Sequence, residues 1–403
     1  MITSYRVDNF KSIASSVEQS EHLRFEPMTI LIGPNGVGKS ALLQSIDFLR
    51  AFFEGNVDEF LRAHGWEYAD LPNLRKTQKK IEWRVNFQVP PNENGKFGGH
   101  YFLNISVLKR RYINVGRDVI KYTPNDSENK APTTVDLVRR EGRATSLQSP
   151  ETEANQHAYF FDLPSSVASY IDRSLHEREL YPEIVHFLNY IRGIKFATIF
   201  DVENLREPRR GYADEIGPKG ENLLPFLAKL QSTDEKRFLR IKRRTLSLFE
   251  TISDFNVRGH ASPAATKILD VYEGRTLFNG RQVSDGFLRI LSIVCLLESP
   301  TPPSILLFEE PENGVHPRLL SHMVDIFKLM TQRKRPHSTQ VFLTTHSPYV
   351  LDMFRDQPES VYTVRRKGTR SSSEFRRLDH LFPRGIPEPP LGETWYADEL
   401  FGA

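Results

Sequence analysis

The octapeptide Gly33-Pro-Asn-Gly-Val-Gly-Lys39-Ser40 constrains this chain more than any other stretch. It fulfils the pattern G-x-x-x-x-G-K-[ST], and its flanks are the ones that pattern needs: residues 29–32 read as a short buried strand and 41–49 as an amphipathic helix. Strand, glycine loop and helix start together aim main-chain N–H groups at an anion. Gly33, Gly36 and Gly38 let the backbone curl round phosphate oxygens where a side chain would hinder it. Lys39 then supplies charge for the β and γ phosphates and the Ser40 hydroxyl a ligand for Mg²⁺, so the loop points to a bound nucleoside triphosphate. The bland alternative is an ordinary glycine turn ahead of a helix, and the flanking pattern argues against it.

At 403 residues, 39% hydrophobic and 26% charged, the chain has the balance of a globular protein with material for two or three lobes. The apolar run at 290–297, broken by Ser292, is far shorter than the ~20 residues that span a bilayer. The first ten residues lack the charged start and apolar centre of a secretory signal and read as an edge strand, so a cytoplasmic protein with no membrane association is expected. A single cysteine, Cys295, excludes an intramolecular disulfide framework and cysteine-rich zinc sites, and its apolar surroundings suit core packing. With 54 Lys and Arg against 51 Asp and Glu, any case for nucleic-acid binding has to be local.

Residues 80–89 and 100–107 alternate as half-buried antiparallel strands do, and Asn92-Glu-Asn-Gly95 between them is turn chemistry, which predicts a hairpin. From 124 to 156 the chain turns polar, and long surface loops or partial disorder are expected. Helical patterns follow at 165–192 and 222–256. In the second, Phe238, Ile241, Thr245, Leu248 and Ile252 form an apolar stripe. Its other face carries Lys236, Arg240, Arg243 and Arg244, either a DNA-contacting surface or, in the plainer and favoured reading, a solvated face.

Residues 304–311 place four apolar side chains before Glu309 and Glu310, as a central parallel strand does when it delivers acids to the carboxyl edge of a sheet. Glu309 then suits a carboxylate holding Mg²⁺ through water, and Glu310 a base for the attacking water. An acid-rich helix start is the alternative. Residues 340–348 form a second buried strand running into Thr345, His346 and Ser347, which puts a histidine at the same edge. Ser284-Asp-Gly286 ahead of an apolar helix offers a hydroxyl and an N–H at a helix start, a weak signal by itself.

In this order the segments resemble the ABC-type ATPase heads of the RecF, SMC and OLD group, most closely the stand-alone OLD-related AAA ATPases that lack a Toprim nuclease domain. The resemblance rests on Val7-Asp-Asn-Phe-Lys-Ser-Ile13, the octapeptide, Ser284-Asp-Gly286, the run from Glu309 to Pro317 and Thr345-His-Ser-Pro348, joined by Gly220-Glu-Asn-Leu-Leu224 and Leu391-Gly-Glu-Thr-Trp395. It implies an α/β fold, the ABC-type P-loop NTPase head, whose mixed sheet carries an antiparallel β lobe and a helical insertion. Residues 1–125 would be a first lobe with the phosphate loop, 126–275 a mainly helical insertion returning to the head, and 276–403 a second lobe with signature, Walker B acids and histidine switch.

The same resemblance implies ATP and Mg²⁺ as cofactors and a homodimer closed by ATP. Nucleotide contacts would come from Asn35, Gly36, Gly38, Lys39, Ser40 and Ala41, with Ser284 and Gly286 reaching across from the second protomer. Lys39, Glu310 and His346 would be catalytic, Ser40 and Glu309 would hold the metal, and residues 313–316 would form the loop that crosses the dimer interface. Asp285 stands where transporter-type signatures have glycine, and Glu309 where their Walker B has aspartate. No C-x-x-C exists for a zinc hook, and no D-x-D follows His346 as a Toprim site requires. Asp126, Glu128 and Lys130 faintly suit a nuclease set but lie in a polar stretch. The expectation is a switch ATPase in antiphage defence that acts on a separately encoded effector, a nuclease or toxin. A RecF-like DNA clamp and an ATP-stabilised scaffold are the alternatives.

Overall fold

The computed structural model describes residues 1–16, 22–77, 80–109, 113–125, 134–140, 144–148, 158–159, 166, 168–173, 175–197, 201–334, 337–366, 368 and 372–382. The chain divides into two compact units, Met1–Ile194 with Gln357–Ile386, and Lys195–Asp356.

In the first unit a long antiparallel sheet grows outward from the N-terminal strand. Ile2–Phe10 pairs with Lys80–Val89, which pairs with Gly99–Lys109, and Ile113–Pro124 follows. Along Lys80–Val89 every second side chain is buried, so one face of the sheet is apolar and needs a cover. The helix Lys39–Glu54 provides it: Phe48 stacks on Trp83 with ring centroids 5.3 Å apart and meets Phe10 at 6.2 Å. The helix Pro182–Arg192 adds Phe187, which touches Phe53, Phe87 and Tyr101. The Asn92–Gly95 hairpin forms as its turn residues require, with Gly95 at φ 74° and its N–H donating to the Asn92 carbonyl. Met28–Ile32, buried at all five positions, lies parallel to Val361–Arg365, which pairs antiparallel with Glu374–Arg377.

Two expectations need correction. Within the polar stretch 124–156, residues Thr134–Arg140 and Ala144–Gln148 are paired antiparallel strands rather than loops. Val135, Leu137 and Val138 supply enough β-branched and apolar character to extend the sheet among polar neighbours. The Asp126, Glu128 and Lys130 set and the Leu391–Trp395 segment lie outside the described residues. The helical pattern at 222–256 is two helices, Leu223–Thr233 and Glu235–Leu246, followed by a strand from Asp254. Asp234 makes the break, since its carboxylate accepts from the Arg237 N–H and caps the second helix. Phe238, Ile241 and Thr245 are buried as the stripe requires, but the helix has ended before Leu248 and Ile252.

In the second unit Ile305–Glu309 runs parallel to Gln340–Thr345, with Glu309 opposite Thr344, and the helix Pro317–Gln332 connects them. The parallel pair therefore ends in acids on one strand and the T-H-S run on the other. Asp254–Arg258, Ile268–Glu273 and Thr276–Asn279 make a three-stranded antiparallel sheet. Phe255 on it meets Phe238 and also Phe287, which lies on the apolar helix Asp285–Glu298. The basic helix is clamped to the end of that same helix. Arg240 Nε and Arg244 Nε lie 3.0 and 2.8 Å from the two carboxylate oxygens of Glu298, and Arg237 donates to the Glu298 carbonyl. Half of the basic face is thus spent on one largely buried acid.

Candidate nucleotide site

The phosphate loop joins the strand Met28–Ile32 to the helix Lys39–Glu54. Gly36 sits at φ 74° with open space beyond its Cα, so its backbone faces outward in a conformation that disfavours any side chain. Gly33 and Gly38 face inward. A Cβ at Gly33 would meet the Val364 carbonyl oxygen at 2.1 Å, and one at Gly38 the Ser373 and Ser12 hydroxyls at 2.2 and 2.6 Å. Those two hydroxyls lie 3.0 Å apart and form a floor for the loop. Lys39 is buried, and its ammonium donates to the carbonyls of Gly33 and Pro34 at 2.8 and 2.9 Å. Arg366 donates to the Gly36 carbonyl from the outer side. Asn35 and Gly36 are exposed, Ser40 is half-buried at the helix start and Ala41 is buried behind it.

This loop fits a polyphosphate. No acidic side chain occupies the first helical turn, the N–H groups there are aligned with the helix dipole, and two cations, Lys39 and Arg366, are tied to loop carbonyls. Ser40 at the start of this helix carries an oxygen of the hard kind that Mg²⁺ prefers, as does Glu309 in the second unit.

In the second unit the residue after Glu309 is strained. Glu310 has φ 46°, a left-handed conformation that costs a non-glycine residue about 1–3 kcal/mol and persists only where its surroundings over-determine it. They do so here. The Glu310 N–H donates to the Thr344 carbonyl at 3.0 Å, Asn313 Nδ2 donates to Glu310 Oε2 at 2.6 Å, and Glu310 Oε1 stands 3.2 Å from His346 Nε2. The two residues assigned as base and switch are therefore in direct contact, each at the end of its own strand.

Ser284 caps the apolar helix, its Oγ accepting from the Phe287 N–H, and both Ser284 and Asp285 are exposed. Arg206 holds this corner by donating to Asp285 Oδ1 at 2.6 Å and to the Val283 carbonyl at 2.7 Å. One turn along, Arg289 donates to the Asn313 carbonyl. The signature helix, the turn after Glu310 and the Glu310 carboxylate thus form one continuous chain of contacts. Arg206, Arg289 and Glu312, whose Oε1 accepts the His346 N–H, are the members that sequence reasoning missed. Only Glu312 had a signal, as a third acid in Glu309-Glu-Pro-Glu312.

Residues 28–352 match the sequence profile of a family described as "AAA domain, putative AbiEii toxin, Type IV TA system". The chain belongs to this family. The AAA-domain match begins with the strand ahead of the phosphate loop and ends just past the T-H-S-P segment, so it takes in every site residue expected from the sequence, but not Ser12, Val364, Arg366 or Ser373 around the loop. No curated protein matches the chain significantly.

Among solved structures, the SmcHead bound to the C-winged helix domain of ScpA aligns over 94% of this AAA-domain chain and 98% of its own, at 13% identity and a TM-score of 0.55. The Smc head domain with an extended coiled coil, bound to the C-terminal domain of ScpA and derived from Pyrococcus furiosus, aligns over 100% and 99%, at 11% identity and a TM-score of 0.51. The fold is accordingly the mixed α/β, ABC-type P-loop head that Smc proteins share. Among the described residues, no helix of this AAA domain is long and apolar enough to cross a membrane.

Proposed function

We propose that this chain binds and hydrolyses ATP and uses the cycle as a dimeric conformational switch in antiphage defence, acting on a separately encoded effector. The observation that carries the hydrolytic part is the Glu310–His346 contact. A carboxylate anchored by Asn313 on one oxygen and facing an imidazole on the other is arranged to take a proton from water and to sense the phosphoryl group beyond it. Lys39 binds the β and γ phosphates, with main-chain contacts from Asn35 to Ala41. Ser40 and Glu309 would hold Mg²⁺, which would supply positive charge against the charge that develops on the transferred phosphoryl group. Phosphoryl transfer asks for positioning and charge neutralisation rather than covalent chemistry, and residues of these types supply both.

The dimer is proposed from the corner at Ser284 and Asp285, held firm by Arg206 and exposed as a surface meant for a second protomer would be, with Gly286 half-buried behind it. The family description names a toxin of a toxin–antitoxin system, and the Smc-head structures carry a ScpA domain, both of which support a role that depends on a second polypeptide. The basic helix gives the DNA-clamp alternative little support, because Arg240 and Arg244 are engaged by Glu298.

The test is Mg²⁺-dependent ATP turnover and oligomeric state of purified chain, wild type against Glu310→Gln, with and without duplex DNA. Slow turnover and an ATP-dependent dimer that accumulates in the glutamine variant are expected. Turnover stimulated by DNA, with binding that falls steeply as salt rises, would favour the clamp instead. A dimer that binds ATP without turning it over would favour the scaffold.

A further inference from the structure

We infer that Glu312 is a positioning residue for hydrolysis, acting by holding His346 against Glu310; the inference rests on the hydrolytic reading of that pair. Glu312 follows Glu310 by one proline, and its side chain turns back across the ends of the two parallel strands. Oε1 accepts the His346 N–H at 2.5 Å and the Thr345 hydroxyl at 2.9 Å. The Thr345 oxygen in turn accepts the Ser347 N–H at 2.9 Å. One carboxylate oxygen thereby fixes all three residues of the T-H-S run, directly or through a single hydroxyl.

This is more than a local tie. The main-chain N–H of His346 is pinned by Glu312, while its imidazole meets Glu310, the residue two places earlier on the same turn. The turn from Glu310 to Asn313 therefore grips the histidine at backbone and ring together, and relative movement of the two strand ends would break both contacts. Oε2 of Glu312 is buried and has no hydrogen-bond partner among the described residues. A buried carboxylate oxygen left in that condition is unfavourable for stability alone. An alanine or a threonine here would avoid the cost, so the acid is explained by the strong, charge-assisted acceptor it presents to the His346 N–H.

Four proteins decide it: Glu312→Ala, Glu312→Gln, His346→Ala and the double variant Glu312→Ala/His346→Ala. Glu312→Ala should lower kcat by roughly ten- to a hundredfold, the scale of a small misplacement of a reacting group, with ATP affinity unchanged within about twofold. The glutamine, which keeps a carbonyl acceptor, should recover most of that loss. In the His346→Ala background the Glu312→Ala change should cost nothing further, because it acts through the histidine. Full additivity in this cycle, or a Glu312→Ala kcat equal to wild type, overturns the inference. Hydrogen exchange supplies a readout that needs no turnover: the His346 amide should exchange faster in Glu312→Ala and stay protected in Glu312→Gln. An exchange rate unchanged in the alanine variant overturns the inference as well. Failure of the underlying reading looks different, since Glu310→Gln would then turn over ATP at the wild-type rate while the exchange result still decides whether Glu312 holds the histidine.

Discussion

Glu310 meets His346 across the ends of two parallel strands, carboxylate Oε1 to imidazole Nε2 at 3.2 Å, from a backbone conformation that a glutamate rarely adopts. Replacing Glu310 by glutamine preserves the shape and the Asn313 contact but removes the base. Turnover should fall roughly 10²–10⁴-fold, the usual scale for general base catalysis, with ATP still bound. Lys39→Ala should instead lose ATP affinity. Single-turnover kinetics beside fluorescent-nucleotide titration separate the two effects, and wild-type turnover in both variants would remove the site assignment.

Mixed dimers test the composite site. A Lys39→Ala protomer paired with a Ser284→Arg protomer should regain one intact site of the two, whereas each variant alone stays inactive. Heterodimers verified by native mass that show no recovery at any mixing ratio would rule out action of Ser284 across an interface.

Two of the loop glycines, Gly33 and Gly36, should not respond alike. Gly33→Ala drives a Cβ into a main-chain carbonyl that cannot rotate away, and should lower stability by about 1–3 kcal/mol as overpacked sites do. Gly36→Ala meets nothing and pays only for its left-handed backbone, about 1 kcal/mol. Urea denaturation midpoints rank them. A Gly36→Ala variant less stable than Gly33→Ala would contradict the packing described for the loop.

Glu298→Ala frees two guanidiniums that one acid now gathers. Because Arg240 and Arg244 remain close to half exposed, solvent screens the pairing and the loss should be only about 1 kcal/mol. The difference from wild type should shrink in high salt. The variant should also bind polyanions more tightly than wild type does, measured by heparin retention, since the released charge becomes available.

Cys295 is fully buried, and desolvation with the nearby Glu298 holds its thiol well above the ordinary range. Thiolate is the reactive form, so alkylation by iodoacetamide at pH 8 should require unfolding. Labelling of the native protein within minutes, followed by intact mass, would show the helix Asp285–Glu298 opening far more readily than its packing implies.

The sequence was most readable where chemistry is local. The phosphate loop, the acid-ended strand and the T-H-S strand announce themselves within eight or nine residues, because glycine conformational freedom and strand burial leave short-range patterns. The hairpin at Asn92 was legible for the same reason. The strands at 134–148 were hidden by a polar composition that outweighs two short runs of β-formers, and the helix end at Leu246 by an apolar stripe that continues past it. Arg206 and Arg289 could not be read as site residues, and Glu312 only as a third acid without a role, since each acquires its partner from a segment distant in the chain: Arg206 from Asp285, Arg289 from Asn313, Glu312 from His346. The basic face of the helix Glu235–Leu246 looks solvated from its periodicity, yet half of its charge is spent on Glu298, a contact that helical periodicity does not reveal.

The floor beneath the phosphate loop comes from the far end of the chain. Val364 sets the closeness of Gly33, Arg366 holds Gly36, and Ser373 with Ser12 sets the closeness of Gly38, yet more than three hundred residues separate the loop from the first two of these. A ribosome making this protein delivers the loop early and its support late. The nascent chain therefore carries an unfinished phosphate cradle until the residues from Val364 to Ser373 have been added. A fragment cut at residue 352, where the family profile stops, would keep every residue of the motif and lose the surface it rests on.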